Sequence, residues 1–125
     1  MVLAAHPDDE VIGCGGTLRK HVLAGERVVG VYLTDGVGTC GGSYLPEAKK
    51  RVLIETQSRK AGELLGLHRQ VFCRQKTINL PGILEQVTKV WQEEKPDVVY
   101  LPFVMDQHND HVEVSRLLLS LLEAT

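Results

Sequence analysis

Apolar residues fall along the chain in two alternating rhythms: short unbroken runs, then longer stretches in which apolar positions return every three or four residues. Val2 to Ala5 is apolar and stops at His6-Pro7, which reads as the end of a buried strand. Arg27 to Thr34 (RVVGVYLT) is β-branched and apolar without polar alternation, the mark of a strand covered on both faces. Asp97 to Leu101 (DVVYL), introduced by Pro96, reads the same way, and Gln70 to Cys73 is a weaker strand. Helical spacing predicts helices over Thr17 to Ala24, closed by Gly25, and over Pro46 to Leu65, closed by Gly66. Two more are predicted over Pro81 to Glu94, with the proline suited to a first turn, and over Val112 to Leu122. The glycine-rich stretch Asp35 to Tyr44 has no period and reads as a loop.

Strand and helix thus alternate from end to end, which predicts a Rossmann-like three-layer α/β/α fold with a mostly parallel sheet. In such sheets ligands collect beyond the carboxyl ends of the strands. The glycines at 13–16 invite a dinucleotide reading, but G-x-G-x-x-G needs glycine at position 18, where Leu18 stands. They read better as residues that let the helix start pass close to the preceding turn.

Composition narrows the function. The 125 residues suit one domain, and 14 basic against 16 acidic side chains leave a formal charge of −2. That balance argues against a nucleic-acid or anionic-membrane partner, and Lys49-Lys50-Arg51 reads as a solvated helix face. No apolar run reaches the ~20 residues of a membrane span and no signal peptide precedes the first strand, so the default expectation is cytoplasmic. Cys14, Cys40 and Cys73 are scattered and read as reduced thiols rather than a disulfide framework or a cysteine zinc site. The leucines at 117, 118, 119, 121 and 122 exceed one core face, so they cover sheet, further chain or another subunit of a homo-oligomer.

Two clusters carry the chemistry. His6-Pro7-Asp8-Asp9-Glu10 follows the first strand, and His108-Asn109-Asp110-His111 follows the last strand and its exit loop. Taken singly, the first is a turn with Asx capping and the second a helix N-cap with solvated imidazoles. Together they gather three of five histidines and four acids at one sheet edge, which favours a metal site. A hydrolytic zinc takes three His, Asp or Glu ligands and keeps one position open. His6 and Asp9 grip from one side, one histidine of the second cluster completes the set, and iron or cobalt also suit such ligands. Asp8 is placed to take a proton from water, and the remaining histidine to polarise a carbonyl or protonate a leaving group. Asp35, closing the second strand, either contacts substrate or caps its loop. His21 and His68 lack acidic company and are given no role.

A-H-P-D-D-E at 5–10 running into V-I-G-C-G-G-T at 11–17, with L-T-D-G at 33–36, P-D-V-V-Y at 96–100 and H-N-D-H at 108–111, resembles the PIG-L/LmbE-like deacetylases. The resemblance runs in order over nearly the whole chain. It implies a metal-dependent hydrolase that removes acetyl groups from N-acetylglucosamine in lipids, thiol cofactors or oligosaccharides. It further implies His6, Asp9 and His111 as ligands of zinc, with Fe as the substitute, and Asp8 as general base. His108 would stabilise an oxyanion or donate a proton, Asp110 would orient an imidazole, and Arg51 would meet the sugar. Family members continue for several elements past the second cluster, so the resemblance implies a chain truncated relative to the family fold. No acid stands in Phe72 to Leu80, where members offer one to the sugar. The rival expectations are a catalytically incomplete metal- or ligand-binding α/β module and a nucleotide-binding domain.

Overall fold

In the computed structural model, which describes residues 1–39 and 44–124, strands and helices alternate as the pattern predicts. The elements are β1 (Val2–Ala4), α1 (Asp9–Leu23), β2 (Val29–Thr34), α2 (Glu47–Leu65), β3 (Arg69–Gln75), α3 (Leu80–Glu94) and α4 (Asn109–Glu123). A short 3-10 turn, Val37–Thr39, follows β2. The sheet is parallel in the order β1-β2-β3, with Leu3 opposite Val31 and Val31 opposite Val71. All six residues of β2 are buried, as a central strand without polar alternation requires.

Alternation along the strands divides the core between two faces. Leu3, Ala5, Val29, Val31, Leu33 and Cys73 point to α3 and α4 and pack with Ile83, Val87, Trp91, Val114, Leu117 and Leu121. The opposite face, under α1 and α2, is smaller: Val2 and Val28 meet Leu18, and Ala4 meets Tyr32 and Phe72. The fold is therefore the three-layer α/β/α sandwich read from the sequence.

Two predicted elements change. Helix α1 starts two turns before Thr17 and takes in the glycines; only Cys14 leaves helical geometry, at φ −148° and ψ 18°. Asp9 and Glu10 in its first turn favour an early start beside the helix dipole, and each glycine in a helix costs only about 1 kcal/mol. The strand predicted over Asp97 to Leu101 is reduced to a bridge. Tyr100 pairs with Val2, accepts from Leu3 N at 2.8 Å and donates to Met1 O at 2.9 Å. Among the described residues no helix is long and apolar enough to cross a membrane. Cys14 and Cys73 are unpaired, with burial pushing the Cys73 thiol up to about 11, while Cys40 lies outside the described residues.

Candidate metal centre

Both clusters sit at the carboxyl edge of the sheet, and each is built by local chain rules. After β1 the chain turns sharply: Asp8 N and Asp9 N both donate to His6 O, at 2.8 and 3.2 Å. Thr34 of β2 donates through N (2.9 Å) and Oγ1 (2.8 Å) to Ala5 O, fixing the backbone on which His6 stands. Asp9 folds back so that Oδ2 accepts from His6 N at 2.9 Å. On the other side, Asp106 makes an Asx turn, accepting from His108 N at 2.9 Å. His108 is the N-cap of α4, its Nδ1 accepting from Asp110 N at 3.2 Å. The cap expected at the second cluster is thus real, and it coexists with the gathering of the residues.

That gathering is close. The ring centroids of His6, His108 and His111 lie 4.8 to 5.3 Å apart. His6 is nearly buried and its Nε2 lies 2.9 Å from Asp110 Oδ2. His111 Nδ1 lies 3.0 Å from Asp106 Oδ2. A ring nitrogen hydrogen-bonded to a carboxylate donates its proton to that bond, which leaves the other nitrogen of a neutral ring with its lone pair. His6 Nδ1 and His111 Nε2 then both face Asp9 Oδ2, at 3.6 and 3.4 Å. In His108 the capping bond uses the Nδ1 lone pair, which leaves Nε2–H as a donor.

His111 Nε2 is buried without any hydrogen-bond partner. A buried imidazole nitrogen of this kind costs free energy unless something accepts its lone pair. The spacing says what fits. Tetrahedral ligands ~2.0–2.2 Å from one ion stand about 3.3–3.6 Å apart, the separation found from Asp9 Oδ2 to each ring. His6, Asp9 and His111 form one group able to hold a metal ion, and His6, His108 and Asp110 a second. The first fits better, because in the second the His6 and Asp110 atoms already bond each other and His108 Nδ1 is engaged in its cap.

Charge supports the same place. Burial works against a protonated His6, yet Asp9 and Asp110 outweigh it and raise its pKa. Groups that hold a proton so firmly also attract a metal cation. Burial would raise Asp9, but His6, through its ring and its backbone N–H, holds that carboxyl below its usual value. Asp8 is the opposite case: lost solvation, then the adjacent Asp9 charge, push its pKa up. Asp8 makes no capping hydrogen bond to α1, so the Asx cap expected at the first cluster is absent. It stands between two clefts, of about 480 Å³ with Asp9, Asp106 and His111, and about 310 Å³ with His6 and Pro7.

Arg51 and Asp35, the residues predicted to meet substrate, pair with each other. Asp35 is buried, caps Val37 N at 3.0 Å and accepts from Arg51 Nε at 3.0 Å. His21 does have acidic company, contrary to the sequence reading: its Nδ1 bonds Glu26, and its Nε2 meets Tyr100 Oη at 2.9 Å. Sequence reasoning missed Asp106, whose only signal is an Asp two positions before a cluster histidine.

The chain is similar to solved and curated proteins. The diacetylchitobiose deacetylase of Thermococcus kodakarensis is 30% identical over 118 residues, 89% of this chain and 44% of that protein. The N,N'-diacetylchitobiose deacetylase of Pyrococcus horikoshii superposes with a TM-score of 0.87 at 26% identity, covering 98% of this chain and 48% of that one. The 4-carboxy-2-hydroxymuconate hydratase GalB of Pseudomonas putida, at 23% identity and a TM-score of 0.84, shares the fold (96% of this chain, 53% of that one). The chain spans about half the length of these relatives. Fold and sequence agree over residues 1–122, where the family model described as PIG-L, GlcNAc-PI de-N-acetylase, matches, and the chain belongs to that family.

Proposed function

We propose that this chain carries the catalytic half of a zinc-dependent N-deacetylase acting on an N-acetylglucosamine-like sugar or sugar conjugate. The observation that carries this reading is the convergence of His6 Nδ1, Asp9 Oδ2 and His111 Nε2 at ligand spacing, with the outer nitrogen of each ring held by a carboxylate. Family membership and the two diacetylchitobiose deacetylases supply the acetamido sugar as the substrate class. Iron fits the same donors, and the choice of zinc rests on the neutral-imidazole and carboxylate set with one position left open.

His6, Asp9 and His111 would hold the ion, with Asp110 and Asp106 orienting the two rings. Zinc in such a site supplies Lewis acidity, polarising a carbonyl and lowering the pKa of water. The chain's own residues do the rest. Asp8, next to the proposed ligand Asp9, accepts the proton of the attacking water. His108 presents Nε2–H to the acetamide oxygen as negative charge grows there, or to the departing amine. Asp35 holds Arg51 at Nε, leaving the rest of its guanidinium for sugar hydroxyls.

Elemental mass spectrometry of protein purified without chelators tests the metal, and acetate release from N-acetylglucosamine derivatives tests the reaction. About one zinc or iron per chain is expected. Asp8→Ala should retain that metal and lose turnover, by roughly 10²-fold or more for a general base. Protein that binds no transition metal and cannot be loaded would end this reading and leave a non-catalytic α/β binding module.

A further inference from the structure

The first turns of α1 invert the rule that apolar side chains face inward. Between the start of the helix and the break at Cys14, Glu10 is the only buried residue, at 1% exposure. Ile12 beside it is 81% exposed and Val11 40%. This short stretch carries Asp9, flanks Asp8, and is separated by the Cys14 break from the part of α1 that Leu18 anchors. An interrupted hydrogen-bond ladder transmits orientation poorly, so a different anchor must set where the two aspartates stand.

Glu10 reaches across to the sheet. Its Oε1 accepts from Tyr32 Oη at 2.9 Å, and Tyr32 Oη accepts from Gln70 Nε2 at 2.9 Å. Gln70 also donates to Ser58 O of α2 at 2.9 Å. The Tyr32 ring is fully buried and stacked on Phe72, with centroids 4.6 Å apart and planes 11° apart. Two glycines inside regular elements make room for this chain of bonds. A Cβ on Gly30 would lie 2.9 Å from Tyr32 Oη, and one on Gly62 would lie 2.3 Å from the Gln70 amide. The smaller face of the sheet is thus built around a polar line from α2 through β3 and β2 to the turn that carries the aspartates. A buried carboxyl is a poor way to gain stability. Rules broken in this way mark functional sites, where geometry matters more than stability.

We infer that Glu10 and Tyr32 are positioning residues: their buried hydrogen bond, braced by Gln70, sets the first turn of α1 so that Asp9 faces His6 and His111. The inference rests on the metal reading above and adds to it the part of the molecule that fixes the site's shape. Replacing Tyr32 by Phe keeps the stacked ring and removes the bond, whereas Glu10→Gln keeps a carbonyl that can accept from Tyr32.

Zinc affinity, measured by competition with a chromophoric chelator, is the readout, with the melting temperature of chelator-treated protein recorded beside it. Tyr32→Phe should weaken zinc binding about tenfold or more, in the range of lost outer contacts at metal sites. Glu10→Gln should stay within about threefold of wild type, since it retains the acceptor. Val87→Ala, a cavity in the core under α3, is the control: it should lower the melting temperature and leave affinity unchanged. Tyr32→Phe protein with wild-type affinity would overturn the inference, as would an affinity loss in Val87→Ala matching that of Tyr32→Phe. Wild-type protein that takes up no zinc would remove the metal reading itself, an outcome distinct from these because it appears before any variant is compared.

Discussion

The outer nitrogens of the two candidate ligand rings explain more of the site than the ligands alone. His111 could bind metal through either nitrogen, and Asp106 decides between them by accepting a hydrogen bond from Nδ1–H at 3.0 Å. Removing that carboxylate frees the ring to turn and to adopt the other tautomer. Asp106→Ala is therefore expected to weaken zinc binding by ~10–100-fold. Asp106→Asn, which can still accept from Nδ1–H, should fall between the two. A chelator competition titration in which all three proteins bind alike would show that the ring is held by something else. At this scale the sequence was informative about identity and silent about pairing. His6 and Asp9 stood out because acids and imidazoles clustered at strand ends, whereas clustering left the third ligand open between His108 and His111, and only the family resemblance implied His111. That Asp110 turns from its own cluster to His6 of the other, at 2.9 Å, depends on a contact across 104 positions. Asp106 carried only an Asx-turn signal, with nothing in its spacing to link it to His111.

Elements were legible where one force dominated. Helix α2 closes at Gly66 and α3 begins one residue before Pro81, because end signals and apolar period agree there. They disagreed in two places. Glycine content argued for a loop at 13–16, but packing and the acidic first turn carried the helix through with a break at Cys14. The apolar run at 97–101 looked like its neighbours, yet it pairs with β1 only through the bridge from Tyr100 to Val2. Helix α4 gives a test of how separable element stability and site are. Leu117 is fully buried between the sheet and α3, two turns from His111. Leu117→Ala should cost about 2–5 kcal/mol of unfolding free energy. Because the N-terminus of α4 is held by its own cap and by Asp106, zinc affinity should remain near wild type, as a urea melt and a titration on the same sample would show. A large fall in affinity would mean that packing deep in the helix, rather than the cap, sets His111.

Across the whole molecule, helices on both faces are tied to the sheet by carboxylates whose charged form the fold favours. Glu55 of α2 receives Arg74 of β3 at 2.8 and 2.7 Å and Arg59 at 2.7 Å, and these cations hold it down to about 2. Glu94, at the end of α3, receives Arg27 at 2.7 and 3.1 Å and Arg69 at 2.9 Å, with the same result, about 2. A carboxyl depressed in the folded state adds stability that is complete above its unfolded value near 4.5. That contribution is lost as pH falls from there through the folded value, since the unfolded chain takes up protons the folded one refuses. Glu10 acts with the opposite sign, because burial raises its pKa, so protonation just below that raised value favours the fold. The stability that Glu55 and Glu94 contribute is therefore expected to drop between pH 4.5 and 2. Glu55→Gln and Glu94→Gln should each be less stable than wild type at pH 7 and lose less on acidification, converging with it near pH 2. The arginine partners are largely solvent-facing, so added salt should shrink the difference at pH 7. Urea unfolding at pH 7, 4.5, 3.5 and 2.5 reads both effects. Equal slopes for wild type and both variants would mean that these bridges form without favouring the folded chain, and that apolar packing alone holds the helices to the sheet.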